Sequence, residues 1–353
     1  MFGYETRLLT PPTPEDCKRV ERFLGEAGLA FEGSPDLTVV LEDHEGQIVA
    51  TGSLDGNVIK MMAVAPDMQD AGLSGKVISR IIERAGEMGR THLFVFTRPA
   101  SADKFMSFGF RELARYEPEA SLLEMGQPGV DAFRSYLRSV KKQLPPGARA
   151  GGVVVNCNPF TLGHRYLIEQ AASRCDQLYA VVVETDLSSF PFEDRMELVR
   201  EGLADLENVT VVRSGEYAVS PATFPSYFMK GASTEGVAAV QARLDVTLFA
   251  NLFVPELDIS CRFVGTEPYC PVTGSFNEAM KEILPSRGVE LFEIQRRVLD
   301  DGVIVSASTV RAMIREDKWD EVRRLVPDVT WNYLRSEKAI PVIEHLLATG
   351  GRH

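Results

Sequence analysis

Between Gly151 and Ala172 the chain reads GGVVVNCNPFTLGHRYLIEQAA, and no other stretch limits the fold so strongly. Val153, Val154 and Val155 are consecutive and β-branched, which predicts a short buried strand, and Asn156 to Pro159 then carries turn chemistry. Tyr166, Leu167, Ile168, Ala171 and Ala172 recur at helical spacing, so a helix starts near Thr161 to His164. A helix that begins there aims unpaired N–H groups and the positive end of its dipole at whatever lies above the strand, which makes an anion site. Gly163 lets a ligand approach the backbone with no Cβ in the way, and His164 supplies a donor for a phosphate oxygen.

A second turn of this kind follows about 140 residues later. Val303 to Val305 is another short apolar run, predicted as a strand, and Ser306-Ala307-Ser308-Thr309-Val310-Arg311 leads into the helical pattern of Met313, Ile314 and Trp319. Ser308 or Thr309 is expected to cap this helix and offer hydroxyls to phosphate, and Arg311 to bring a fork of donors to the β and γ phosphates. Taken singly, each turn has a bland reading, a satisfied turn histidine or a capped helix. Together and in order they point to a triphosphate site. The first resembles the HxGH motif of the nucleotidyltransferase superfamily, with Thr161 in place of the first His, and the second resembles that superfamily's ISSTxxR motif. The resemblance implies ATP or CTP as ligand. The residues expected at the nucleotide are Asn156, Asn158, Thr161, Gly163 and His164 from the first turn, and Ser306, Ser308, Thr309 and Arg311 from the second.

With 353 residues, 44% of them hydrophobic, the chain has the length of about two packed domains. Its net charge of -12 argues against a sequence-independent nucleic-acid surface, which needs a basic face. Cys17, Cys157, Cys175, Cys261 and Cys270 show no CxxC spacing, so neither a disulfide framework nor a zinc site is expected, and a reducing cytoplasm fits. The start MFGYETRLLTPP lacks an apolar signal core, and no stretch is read as approaching the ~18 apolar residues of a spanning helix.

Residues 1–125 read as a separate α+β unit: a helix at Glu15 to Ala27, strands at Leu37 to Glu42, Gln47 to Ser53 and Ile59 to Val64, and a helix from Lys76 to Met88. The turn Gln69-x-x-Gly72-x-Ser74-Gly75 before that helix resembles the acyl-CoA loop of the GNAT acetyltransferase fold, where backbone amides hold a pyrophosphate. A strand at His92 to Thr97 and the run Phe105 to Phe110 extend the resemblance. Ser74 stands where Gly or Ala is usual, and no general base is evident, so a docking module is as good a reading as a transferase. Val130, Phe133, Tyr136, Leu137, Val140 and Leu144 trace a connecting helix in residues 126–149, stopped by Pro145-Pro146-Gly147.

From residue 150 to 353 strands and helices alternate, which predicts a doubly wound parallel sheet, Rossmann-like, with ligands at the carboxyl ends of the strands. Leu178 to Val183 delivers Glu184-Thr185-Asp186 and then Arg195, expected to face the phosphate site from the next loop. After the strand Val209 to Arg213, the aromatic loop Ser220 to Lys230 can line a small apolar pocket, with Lys230 placed to pair with a carboxylate or phosphate. Gly265-Thr266-Glu267-Pro268 follows the strand Arg262 to Val264, where the superfamily places a loop near the nucleotide. Ala238 to Phe249 and Asn277 to Leu284 read as helices, and Trp331 to Leu347 as a packing helix.

The strings NCNPFTLGH, ETDxSxFPFEDR, ATFPSYFxK, RFVGTEPYCxVTxxxNxAM and VSASTVR behind a GNAT-like unit are similar to the citrate lyase ligase family over essentially the whole chain. That resemblance implies ATP-dependent acetylation of the thiol on the phosphoribosyl-dephospho-CoA group carried by the acyl-carrier (gamma) subunit of citrate lyase. It implies acetate as the acid, AMP and diphosphate as products and Mg2+ on the triphosphate. His164, Arg195, Lys230 and Arg311 become the expected catalytic residues, and Gln69, Gly72, Ser74 and Gly75 the expected binding residues for the CoA-like group. A nucleotidyltransferase that passes AMP or CMP to a phosphorylated metabolite, with a separate N-terminal acetyltransferase, is the rival reading.

Overall fold

The computed structural model describes residues 4–69, 72–184, 188–218, 224–229, 231–266, 271–299 and 301–349, with the backbone alone for 271–273. The chain divides into two compact units, Met1–Phe133 with Thr223–Thr247, and Arg134–Ala222 with Leu248–His353.

The first unit is built on a seven-stranded mixed sheet. Its elements run β1 (Glu5–Leu9), α1 (Pro14–Glu26), β2 (Leu37–Glu42), β3 (Ile48–Asp55), β4 (Val58–Val64), α2 (Leu73–Glu87), β5 (His92–Thr97), α3 (Pro99–Met106), β6 (Arg111–Tyr116) and β7 (Ala120–Gly126). The strand order is β1-β2-β3-β4-β5-β7-β6. All pairs are antiparallel except β4 with β5, whose register is only Val58↔Phe94 and Ile59↔Val95. Leu73, Val77, Ile78, Ile81 and Ala85 form the buried stripe of α2, spaced by three and four residues, and pack on Leu37, Val39, Leu54 and Ile59 of the sheet. The sequence reading missed β1, α3, β6 and β7; β1 and β6 are charged edge strands and α3 is short, while β7 is a buried interior strand that the reading passed over.

Next come α4 (Val130–Val140), β8 (Ala150–Val155), α5 (Leu162–Ala172), β9 (Gln177–Val182), α6 (Phe192–Gly202) and β10 (Val209–Arg213). They are followed by α7 (Thr234–Leu257), β11 (Ile259–Gly265), α8 (Pro271–Ile283), β12 (Glu290–Ile294), α9 (Ala307–Arg315), α10 (Trp319–Leu325), α11 (Asp328–Leu334) and α12 (Ile340–Ala348). The second unit's sheet is wholly parallel, in the order β10-β9-β8-β11-β12. From β8 the chain builds outward through β9 to β10, then returns to the other side of β8 with β11. The switch point therefore lies between the carboxyl ends of β8 and β11, where an open α/β sheet leaves a crevice. Val153, Val155, Leu178, Ala180, Val182 and Phe263 put the core under the helices.

Three expectations change. Val303 to Val305 forms no strand: Gly302 turns the chain in the left-handed region (φ 84°), leaving only an isolated bridge between Val298 and Ile304. The fifth strand is β12, an edge whose Glu290 and Glu293 hid it from a search for apolar runs. Trp331 to Leu347 is not one helix, because Ser336 is extended and Pro341 starts a new one. Helix α7, in addition, is long and apolar enough by length and composition to cross a membrane, against the expectation of no such stretch. Since 67% of its most apolar window is buried inside the structure, it reads as a core helix.

Candidate active site

The two sequence motifs meet at the switch point. Thr161, fully buried, is the N-cap of α5 and accepts from the His164 amide, while the His164 ring returns the bond to the Thr161 amide. An amide N–H can only donate, so Nδ1, 3.2 Å away, is the acceptor and the ring proton sits on Nε2. Phe160 stacks against the ring with centroids 6.2 Å apart, which fixes its plane. Burial, then the cations Arg296 and Arg311, push the imidazole from its ordinary 6.5 down to about 4. At neutral pH His164 is therefore an uncharged Nε2–H donor, not an imidazolium.

Gly163 serves a different purpose from the one expected of it. A Cβ at this position would lie 2.3 Å from the Val305 carbonyl oxygen, so the space is filled by the backbone of the second motif. Arg311, largely buried in the first turns of α9, donates through Nη1 to the Asn158 carbonyl, and Asn158 Oδ1 accepts from the Phe190 amide at 3.0 Å. Its expected fork toward the β and γ phosphates is thus partly committed to holding the first motif's loop. The cap of α9 is Ser306, whose Oγ accepts from the Thr309 amide at 3.1 Å. Ser308 and Thr309, expected as caps, instead place their hydroxyls 2.9 and 2.8 Å from Ser306 Oγ. The expected phosphate donors of both motifs, Arg195 and Lys230 aside, are brought to one place.

Arg195 departs most from expectation. It is fully buried, and its guanidinium donates to the carbonyls of Phe190, Asn156 and Val183 at 2.7–2.9 Å and to Asn156 Oδ1 at 3.0 Å. A side chain enclosed this way sets the shape of the loops after β8 and β9. Asn156 is exposed and also donates to Ser188 Oγ at 3.1 Å. Across the crevice, Gly265 ends β11 in open space, and the Thr266 amide donates to Ile294 O at 2.9 Å. Arg296 Nε donates to Thr266 O at 2.8 Å. Sequence reasoning missed Arg296, although a paired Arg296-Arg297 soon after an apolar Ile294 marks a cation at a strand's carboxyl end. Asn277, a letter of the fourth family string to which no role was given, is buried on α8, and its amide donates to Gly265 O at 3.3 Å. Lys230, Glu267 and Pro268 lie outside the described residues, as do Thr185, Asp186 and 220–223.

In the first unit, Gly72 is the N-cap of α2 in the left-handed region (φ 69°), and among the described residues no side-chain cap is made to the first-turn amides. Gln69 and Ser74 line a cavity of about 330 Å3, and Gly72 and Gly75 line an open groove beside Lys76. Asp70 and Ala71 lie outside the described residues.

The model of the citrate lyase ligase C-terminal domain matches residues 150–334. Over 320 residues the chain is 38% identical to the [citrate [pro-3S]-lyase] ligase of Klebsiella pneumoniae, covering 89% of this chain and 91% of the relative. It is 35% identical to that of Escherichia coli strain K12, covering 90% of each. Among solved structures, Thermotoga maritima TmcAL with alpha-thio ATP aligns over 54% of this chain and 56% of its own, at 15% identity and a TM-score of 0.35, too distant to carry a functional reading. On the whole-chain identity to these relatives, the protein belongs to the citrate lyase ligase family and is a ligase.

Proposed function

We propose that the second unit activates acetate with ATP, and that the acetyl group then passes to a thiol. One arrangement carries the reading: the N-termini of α5 and α9 stand together at the switch point, locked by the Gly163 to Val305 contact and the Arg311 to Asn158 bond, with His164 Nε2–H as a neutral donor. Two helix starts supply amides and positive dipole ends suited to a triphosphate.

In the first step a carboxylate oxygen of acetate bonds to the α-phosphorus of ATP, and the bond to the bridging oxygen breaks as diphosphate leaves with its electron pair. Acetate is a weak nucleophile, so catalysis is positioning and charge neutralisation. His164 donates to the α-phosphate, where charge builds, and needs no protonation change to do so. Ser308, Thr309 and the α9 amides face the departing diphosphate, with Arg311 holding the two loops in register. In the second step a thiol sulfur attacks the acetyl carbon of the mixed anhydride, the carbon–oxygen bond breaks, AMP leaves, and the thiol proton passes to solvent.

Mg2+ fits as a companion of the nucleotide. Its ligands would include phosphate oxygens and water, as is usual for a nucleotide-bound Mg2+. When bound it offsets phosphate charge.

The family relationship points to the phosphoribosyl-dephospho-CoA arm of the citrate lyase acyl-carrier subunit as the thiol. The amides at the start of α2, to which its N-cap Gly72 gives no side-chain bond, are suited with Gln69, Ser74 and Gly75 to its pyrophosphate. Exchange of labelled diphosphate into ATP tests the activation step. Exchange that requires acetate supports it, and exchange that ignores carboxylic acids but requires a phosphorylated metabolite would replace it with nucleotidyl transfer.

A further inference from the structure

The adenylation chemistry gives no reason for the two consecutive glycines in β8, the middle strand of the parallel sheet. Glycine inside a strand weakens it, and so marks a place where another group comes close. At Gly151 that group is a sulfur: a Cβ there would lie 2.9 Å from Cys175 Sγ and 2.7 Å from the Phe263 ring. In the pairing of β8 with β11, Gly151 stands opposite Cys261. Laterally paired residues share a face of the sheet, and Phe263, two residues on from Cys261, shares it too. Cys261 Sγ lies 3.6 Å from the carbonyl oxygen of Ala150, the residue before Gly151. Two thiols far apart in sequence are thus packed against the same two residues of β8, a pairing that the spacing of the cysteines does not suggest.

Both are free thiols; Cys175 is half-buried, just past the end of α5, and Cys261 is fully buried. Cys175 Sγ lies 3.3 Å from Ala171 O in the last turn of α5. Its neighbour pins it to the start of β8, where the Arg149 amide donates to Asp176 Oδ2 at 2.7 Å and the Asp176 amide to Arg149 O at 2.9 Å. The Arg149 guanidinium donates to Glu290 at 2.6 Å and lies over the Phe292 ring. The hydrogen bond from Cys175, set against burial and aided by the Arg149 cation, holds the Cys261 thiol below its ordinary range. The same bond, together with burial, pushes the Cys175 thiol up. Loss of one proton from the pair therefore leaves the charge on Cys261 and the S–H on Cys175.

We propose that Cys175 and Cys261 form a reversible disulfide, a redox-operated clasp between the end of α5 and the start of β11. The oxidant is a small disulfide of the glutathione type. With Cys261 ionised, Cys175, the accessible sulfur, attacks one sulfur of the oxidant as its proton passes to Cys261; the S–S bond breaks and one half leaves as a thiolate. The Cys261 sulfur, giving that proton to water, then attacks Cys175 Sγ, and the second half leaves. Water protonates both thiolates, so two cysteine thiols lose two electrons and two protons while the oxidant becomes two thiols. Because α5 presents His164 at its other end, the clasp makes the persistence of the site on heating depend on thiol redox state.

The test incubates the full chain with glutathione disulfide, against a control reduced with dithiothreitol, and maps the linkages by mass spectrometry without reduction. A Cys175–Cys261 peptide pair, lighter by two hydrogens than the reduced peptides, is expected. The melting temperature should rise by several degrees, because a cross-link that closes a long loop restrains the unfolded chain. Dithiothreitol should reverse both effects. Cys175→Ser, a mild change at a half-buried position, should abolish the linked pair and the rise together, and Cys175→Ala should match it. No linkage, a reaction that stops with glutathione on Cys175, a linkage to any other cysteine, or a Cys175–Cys261 bond that leaves the melting temperature unchanged or lower overturns the proposal.

Discussion

Gly163 sits so close to Val305 that a Cβ on it would come within 2.3 Å of the carbonyl oxygen. The two motifs, far apart in sequence, are thereby in backbone contact, and the glycine is needed for the protein's own chain as much as for any ligand. Gly163→Ala is expected to force the loops apart at a cost of ~1–3 kcal/mol, and to lower acetate-dependent exchange. A melting temperature and an exchange rate equal to wild type would mean that Val305 moves aside freely.

Arg311→Lys is expected to be damaging although it keeps the charge. A lysine cannot both reach the Asn158 carbonyl and present a second donor in a fixed plane. The apparent affinity for ATP should fall, and with it the thermal midpoint, because the loop after β8 loses its tie to α9. Should the midpoint drop while ATP affinity holds, Arg311 is a tie alone and the diphosphate is neutralised by other groups.

The depressed His164 pKa fixes the sign of a pH effect. Between about 6.5, its ordinary value, and about 4, its value in the fold, the unfolded chain takes up a proton that the native protein refuses. Stability from this group is therefore full above 6.5 and is lost as pH falls toward 4. In His164→Gln that dependence disappears. Urea midpoints of wild type and variant at pH 7 and pH 5 check this: the gap should shift in the variant's favour at pH 5, and a constant gap contradicts the low pKa. At neutral pH the variant's rate should fall by ~10²-fold, the usual effect of losing one donor to developing charge.

Arg195 is a matter of architecture. Its guanidinium makes three bonds to carbonyls and one to Asn156 Oδ1, in the buried to half-buried floor of the loops. Arg195→Met takes the charged donor from the Phe190, Asn156 and Val183 carbonyls, which costs more than ~3 kcal/mol since hydrogen bonds to a charged group are worth ~1.5–3 kcal/mol each. The urea midpoint should fall sharply. A variant as stable as wild type with weakened ATP binding would return Arg195 to the phosphates.

The strand-to-helix turn around Gly163 and His164 was legible in the sequence because β-branched runs, turn residues and a capping residue all agree there. What the letters do not carry is which partner a side chain chooses. Arg195 and Arg311 follow the same pattern, an arginine within the first turns of a helix. One donates to three backbone carbonyls and the Asn156 side chain, and the other ties one carbonyl, because different loops surround them. Arg296 stayed hidden because β12, the edge strand that ends just before it, is interrupted by Glu290 and Glu293 and showed no long apolar run. The cap of α9 was misplaced for a local reason. Ser306, Ser308 and Thr309 can all cap, and only the backbone angles at Ser306 (φ -138°, ψ 157°) decide among them.

That last point separates two serines that look equivalent in the sequence. Ser306 Oγ holds the Thr309 amide and lies within hydrogen-bond distance of the hydroxyls of both Ser308 and Thr309. Ser306→Ala removes the cap, at ~1 kcal/mol by the usual cost of such a change, and leaves the other two hydroxyls unheld. Ser308 is exposed at the same helix start and makes no contact with the α9 amides. Ser308→Ala is therefore expected to leave the melting temperature within error while weakening ATP binding, whereas Ser306→Ala should lower both. Thermal scans with and without ATP distinguish the pair: the nucleotide-induced rise should shrink in both variants, but only Ser306→Ala should start from a lower baseline. If Ser308→Ala shows the full rise, its hydroxyl does not face the nucleotide, and the α9 amides alone meet the phosphates on that side.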